Sequence, residues 1–250
     1  PRRYLQFFEG QYLPSRYNKY FGQTNSEQNP RDVVSKQIIG PDFNFTDLAS
    51  FDKIIWMVRD PRDRLISYLL YRHYDYRYDS DEFVREQLDL LRLKERDPDA
   101  LAMIDLEARL LLPRPTLESA FFWNDHQKSN FLSTLIEEER AFIFKYEDFV
   151  NQEYSGLENF LGIKMSRNAK VPKQFQRVIR SKTHSFWNHW FTQKDVDNYM
   201  GLFQPFLGQY GYKDEWALAE EKKIDPEHCS RYVRTIINER RQLDGLHLIQ

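Results

Sequence analysis

A single cysteine, Cys229, serves a chain of 250 residues, which excludes an intramolecular disulfide and a metal site built on cysteine pairs. That scarcity fits a reducing compartment. A basic excess is also missing. With a formal charge of −2 there is no global field to draw in nucleic acid, so an anionic ligand must be held by local arginines. No apolar run reaches bilayer-spanning length, the nearest being cut by Asp105, Glu107 and Arg109, and no signal-peptide pattern opens the sequence. None of the nine glycines falls in a GxxxxG phosphate-loop spacing. Internal repeats, low-complexity tracts and Gly/Ser linkers are absent too, so residues 1–250 are read as one domain, with 213–250 as a C-terminal helical appendage.

What is present suits a folded protein: 41% hydrophobic residues, 16% of the chain aromatic. Strands are expected at 32–39, 53–58 and 141–146. The last two are apolar without alternation, as in strands covered on both faces. Helical patterns fall at 62–74, 81–95, 98–112, 116–139, 151–161, 194–209 and 226–243, the last opened by Asp225 as cap and Pro226 in the first turn. Strands alternating with helices predict an α/β fold with a mainly parallel central sheet flanked by helices.

The stretch "VRDPRDRLIS" (58–67) concentrates the chemistry. Val58 closes a strand, Asp60 caps a helix, Pro61 opens it, and Leu65, Ile66, Leu69 and Leu70 share its buried face. Arg59 then stands at the carboxyl end of a strand, where open α/β sheets bind ligands. A phosphate there would meet the Arg59 guanidinium, the Ser67 hydroxyl and a helix N-terminus. Arg62 and Arg64 are read as partners of Asp60 and Asp63 on a solvated surface.

This stretch resembles the 3′-phosphate-binding element of the sulfotransferases that use 3′-phosphoadenosine 5′-phosphosulfate, in which a strand-ending arginine is followed eight positions later by a serine; Arg59 and Ser67 match both. "FIFKYEDFV" with "LENFLGI" is similar to the family's Tyr-Glu-Asp turn, which makes Tyr146 an expected neighbour of the adenine, while Glu147 and Asp148 cap or hold backbone. "RSKTHSFWNHWFT" (180–192) resembles its basic loop, with Arg180 seven residues before Trp187. The resemblance implies that Arg180, Ser181, Lys182 and Thr183 close over the 3′-phosphate; Lys182 also fits a plain surface position. His184 and His189 are read as packing or surface residues, since nothing near them has metal-ligand spacing.

"YLQFFEGQYLPSRYNKYFG" (4–22) is similar to a stretch of heparan-type members, and "YMGLFQPFLGQYGY" (199–212) to the C-terminal helix of bacterial ones. The resemblance covers residues 1 to about 212 and implies a P-loop-like nucleotide fold with no metal. It departs from the family in two places. The glycine-rich phosphosulfate loop has no counterpart, and the expectation is that it precedes Pro1. The strand position of the catalytic histidine holds Lys36 and Gln37, and the glutamate position holds Tyr4, with Glu9 nearby as a substitute base. Lys36 fits either a cation that stabilises the transferring sulfuryl group or a strand-edge lysine.

The implied activity is sulfuryl transfer to an acceptor hydroxyl, with carbohydrate the expected class and 116–130 a possible acceptor border. The alternative is an inactive nucleotide-binding or regulatory module of the same fold. An oligonucleotide-binding role for "YRHYDYRYD" (71–79) is disfavoured by Asp75 and Asp79. The expected location is cytoplasmic, or the Golgi lumen for a eukaryotic catalytic domain.

Overall fold

The computed structural model describes residues 6–9, 33–36, 51–75, 80–110, 132–167 and 180–250, the first two segments as backbone. The described residues mix helices with parallel strand pairs, a combination compatible with an α/β fold. Strands β1 (Gln6–Glu9) and β2 (Val33–Lys36) form one parallel pair, and β3 (Ile54–Val58) and β4 (Ala141–Lys145) form another. Among the described residues the α-helices are α1 (Pro61–Tyr71), α2 (Asp81–Arg96), α3 (Met103–Arg109), α4 (132–137), α5 (Tyr146–Asn151), α6 (Ser155–Leu161), α7 (Trp187–Trp190), α8 (Gln193–Gln209) and α9 (Ser230–Leu243). Among the described residues no helix is long and apolar enough to cross a membrane.

Helix α1 starts as its local sequence dictates. The Asp60 carboxylate accepts from Arg62 N at 2.9 Å, Pro61 takes the first position, and Leu65, Ile66, Leu69 and Leu70 are buried. Those four side chains join apolar residues of α2, α3, α7, α8 and α9 in the main core. The C-terminal segment supplies Cys229, Tyr232, Val233, Ile236, Ile237 and Ile249 to it, so the expected appendage packs as an integral layer. A second core lies on the β3–β4 pair, where Ile54, Val58 and Ala141 meet Leu132, Leu135 and Tyr210. Helix α8 serves both. Tyr199, Phe203 and Leu207 face the main core, while Phe206 and the C-capping Tyr210 face the strands, and Pro205 lies within the helix.

Several expectations need correction. The strand β3 is not covered on both faces: Ile54 and Val58 are buried, whereas Ile55 and Met57 are 42% and 57% exposed. The alternation is that of any strand with one buried face, masked in the sequence because the outward residues are apolar too. The strand 141–146 stops at Lys145, and Tyr146 opens α5. The helix expected at 151–161 begins only at Ser155, because Asn151 ends α5 and Gln152 follows it in the left-handed region at φ 61°. The helix expected at 98–112 is only Met103–Arg109. Its first residues form a loop held by the buried Lys94, whose ammonium donates to Pro98 O at 2.5 Å and Leu101 O at 2.6 Å. Strand β1 was not expected at all. Most of 116–139, including the acceptor-border stretch, lies outside the described residues, as does 76–79 of the aromatic-basic strip.

Candidate functional site

The β3–β4 register ends with Val58 opposite Lys145, so Arg59 and Tyr146 leave neighbouring parallel strands side by side. The Arg59 guanidinium carbon lies 4.3 Å from the centroid of the Tyr146 ring. Arg59 Nη1 donates to Ser67 Oγ at 2.9 Å, from strand end to helix across the turn. Arg180 reaches the same oxygen from a distant part of the chain, Nη2 to Ser67 Oγ at 3.4 Å, while its Nη1 donates to the His228 carbonyl at 3.1 Å. The Tyr146 hydroxyl donates to Ser181 O at 3.4 Å, which closes the ring of contacts. Arg59, Ser67, Tyr146, Arg180 and Ser181 are therefore one cluster. Lys182 and Thr183 are exposed at its margin.

Two guanidinium groups in such proximity need an anion. Arg59 Nε and Arg180 Nε are buried and have no hydrogen-bond partner among the described residues. Burial lowers the proton affinity of Arg180, and the like charge of Arg59 lowers it further. The carboxylate that interacts electrostatically with both arginines is Asp63, which is itself buried. Burial raises its pKa, while the Arg59 charge acts in the opposite direction. It spends its oxygens on backbone: Oδ2 accepts from Ser185 N, and Oδ1 from Phe186 N at 3.0 Å and Trp187 N at 2.9 Å. Unmet buried N–H donors on two cations describe a place where an oxyanion would be bound by charge-assisted hydrogen bonds.

The surrounding frame is polar and buried. Arg62 pairs with Asp60, Nη2 to Oδ2 at 2.7 Å, and lies 4.3 Å and 5.1 Å from the ring centroids of Trp187 and Trp216. It also donates to the carbonyls of Lys213 and Glu215. Arg62, Asp60 and Asp63 are thus interior groups and not the solvated surface pairs expected, because two distant segments fold over the turn. Arg64 alone of these is exposed. Glu147 holds backbone as expected: Oε1 accepts from Asp60 N at 3.1 Å and Oε2 from the Tyr212 hydroxyl at 2.9 Å. Burial and the Glu147 charge raise the pKa of that phenol. His184 contacts Ser185 and Asn151, and His189 accepts from Lys223 N.

Glu9 and Lys36 are partners in register at the ends of β1 and β2. That pair belongs to a sheet separate in hydrogen bonding from β3–β4, so the strand ladder does not unite it with the arginine cluster. Asp63, Arg62, Trp216 and Tyr212 were missed as parts of the site frame. No local signal marks them, since each acts on a segment remote in sequence. Among the described residues, no group of three or more histidine, cysteine or acidic side chains is placed to hold a metal ion.

Comparison of the chain with protein-family models, with curated proteins and with solved structures finds no match in any of the three.

Proposed function

We propose that the chain is a sulfotransferase that moves a sulfuryl group from 3′-phosphoadenosine 5′-phosphosulfate to an acceptor hydroxyl, with a carbohydrate as the acceptor class. The observation that carries this reading is the convergence of Arg59 and Arg180 on the Ser67 hydroxyl, with buried N–H donors left over, beside the Tyr146 ring. Two cations and a hydroxyl suit a dianionic phosphate monoester, and an adjacent aromatic ring suits a purine. In this reading Arg59, Ser67 and Arg180 hold the 3′-phosphate, Tyr146 borders the adenine, and Ser181, Lys182 and Thr183 line the covering loop. The finer fold implied is a P-loop-like sheet that includes both strand pairs.

In the transfer the acceptor oxygen forms a bond to sulfur as the bond from sulfur to the 5′-phosphate oxygen breaks. The acceptor proton goes to a base, for which Glu9 is the candidate, and Lys36 offsets charge on the sulfuryl oxygens. Their register as neighbours places a carboxylate-bearing and an ammonium-bearing residue at one strand end.

The test measures binding and turnover separately. Calorimetry with 3′-phosphoadenosine 5′-phosphate, against adenosine 5′-phosphate as control, is expected to show a preference for the 3′-phosphate. Transfer of labelled sulfate to a panel of saccharide hydroxyls is expected to follow. Binding without transfer would favour the inactive nucleotide module. Equal affinity for the two nucleotides would overturn the reading.

A further inference from the structure

We propose that Asp63 is a positioning residue for Arg180: its carboxylate latches residues 185–187 to the first turn of α1 and so fixes where the Arg180 guanidinium meets Ser67. The proposal rests on the anion-binding reading of the arginine cluster. Asp63 lies one turn before Ser67 on α1, is buried, and forms no salt bridge among the described residues. A carboxylate beside Arg59 would ordinarily be read as its countercharge. The hydrogen bonds point elsewhere, to three consecutive amides at Ser185, Phe186 and Trp187.

The turn being held includes a backbone conformation that is costly for a residue with a side chain. Ser185 has φ 63°, in the left-handed region that non-glycine residues rarely occupy, and its N–H is one of the three donors. Just before this turn in the chain stand two members of the cluster, Arg180, whose Nη2 reaches Ser67 Oγ, and Ser181, whose carbonyl accepts from Tyr146. Asp63 and Ser67 are successive-turn neighbours on α1, four residues apart, so one helix face carries both the latch and the target. Arg180 is also tied to the His228 carbonyl, which sets its other end. Releasing 185–187 would leave Arg180 anchored away from Ser67.

The latch and the countercharge predict opposite signs. Removing a negative charge next to an anion site tightens anion binding if charge is all that Asp63 supplies. In Asp63→Asn, Oδ1 can still serve Phe186 and Trp187, but an amide NH2 faces the Ser185 N–H, so the turn is released at that point. The expected result is an affinity for 3′-phosphoadenosine 5′-phosphate weaker by about tenfold, with adenosine 5′-phosphate unaffected. The same change in an Arg180→Ala background is expected to do nothing further. A tighter complex, or full additivity with Arg180→Ala, would overturn the proposal.

A second measurement needs neither ligand nor variant. In the unmodified protein under a urea series, amide exchange at 185–187 and phenylglyoxal labelling of Arg180 are expected to open together. Labelling of Arg180 while those amides remain protected would sink the latch. If the protein ignores the nucleotide altogether, the sulfotransferase reading fails while this arm still tests whether the Asp63-bound turn and Arg180 move as one unit.

Discussion

Arg59 and Tyr146 follow the last paired residues of two adjacent parallel strands, and the guanidinium of the first rests over the ring of the second, 4.3 Å from its centroid. The ring thus helps to hold a cation whose Nη1 is committed to Ser67. Tyr146→Phe keeps that face and loses only the long bond to Ser181, so nucleotide affinity should fall by less than about 1 kcal/mol. Tyr146→Leu removes the ring as well and should cost more. Calorimetry decides the order, and a larger loss in the phenylalanine variant would show that the hydroxyl matters more than the ring.

Loss of Arg59 should be far more severe. In the proposed site, Arg59→Ala removes one of the two charges assigned to the 3′-phosphate and is expected to weaken binding of 3′-phosphoadenosine 5′-phosphate by about 2–5 kcal/mol. Ser67→Ala should cost about 1 kcal/mol. Because the Ser67 oxygen accepts from both arginines, the double variant should lose less than the two single losses added together. Unchanged affinity in Arg59→Ala would remove the residue from the site.

Lys36 separates transfer from binding. If it stabilises the sulfuryl group, Lys36→Ala lowers turnover by a larger factor than it lowers nucleotide affinity, as for an interaction made mainly in the transition state. Steady-state rates and calorimetry on the same preparation give the two numbers. The reverse pattern would make Lys36 a binding residue alone.

Arg62 should behave as a structural group. Its bidentate pairing with Asp60 and its place between Trp187 and Trp216 are buried. Arg62→Ala strands the Asp60 carboxylate in the interior and is expected to cost about 3–5 kcal/mol of stability, roughly 10 °C in melting temperature. A melt within a degree or two of the wild type would mean that Asp60 finds another partner.

His73 gives a pH dependence with a definite sign. It is buried, its Nδ1 lies 3.1 Å from Leu70 O, and desolvation, with a smaller push from Arg72, lowers its pKa from 6.5 to about 4. Between those values the unfolded chain binds a proton that the folded chain refuses, so stability is full above pH 6.5 and falls as pH drops toward 4. The loss attributable to this group is about 3 kcal/mol. Urea midpoints at pH 7 and pH 4.5 should therefore lie closer together in His73→Gln than in the parent. An equal separation would show that the imidazole does not resist protonation.

The turn from Val58 to Ser67 was legible because its determinants are adjacent: a cap, a proline and an apolar face at helical spacing. The location of Arg180 beside Ser67 could be anticipated only from the order of motifs. Asp63, by contrast, looked like a solvated acid, since the amides it binds belong to residues far along the chain. Trp216 and Tyr212 escaped notice for the same reason. Lys94 was hidden by its charge, as nothing local says that a lysine will turn inward to satisfy two carbonyls. The Gln152 break was illegible because a glutamine, and not a glycine, takes the left-handed position.

Pro205 has no N–H to offer the Gly201 carbonyl one turn earlier, and it lies next to the stretch where α8 turns one face to the helical core and another to the strands. One rod therefore runs through both apolar assemblies with a single weakened rung at the crossing. Neither assembly can melt without pulling on the other, so thermal denaturation should register as a shared event.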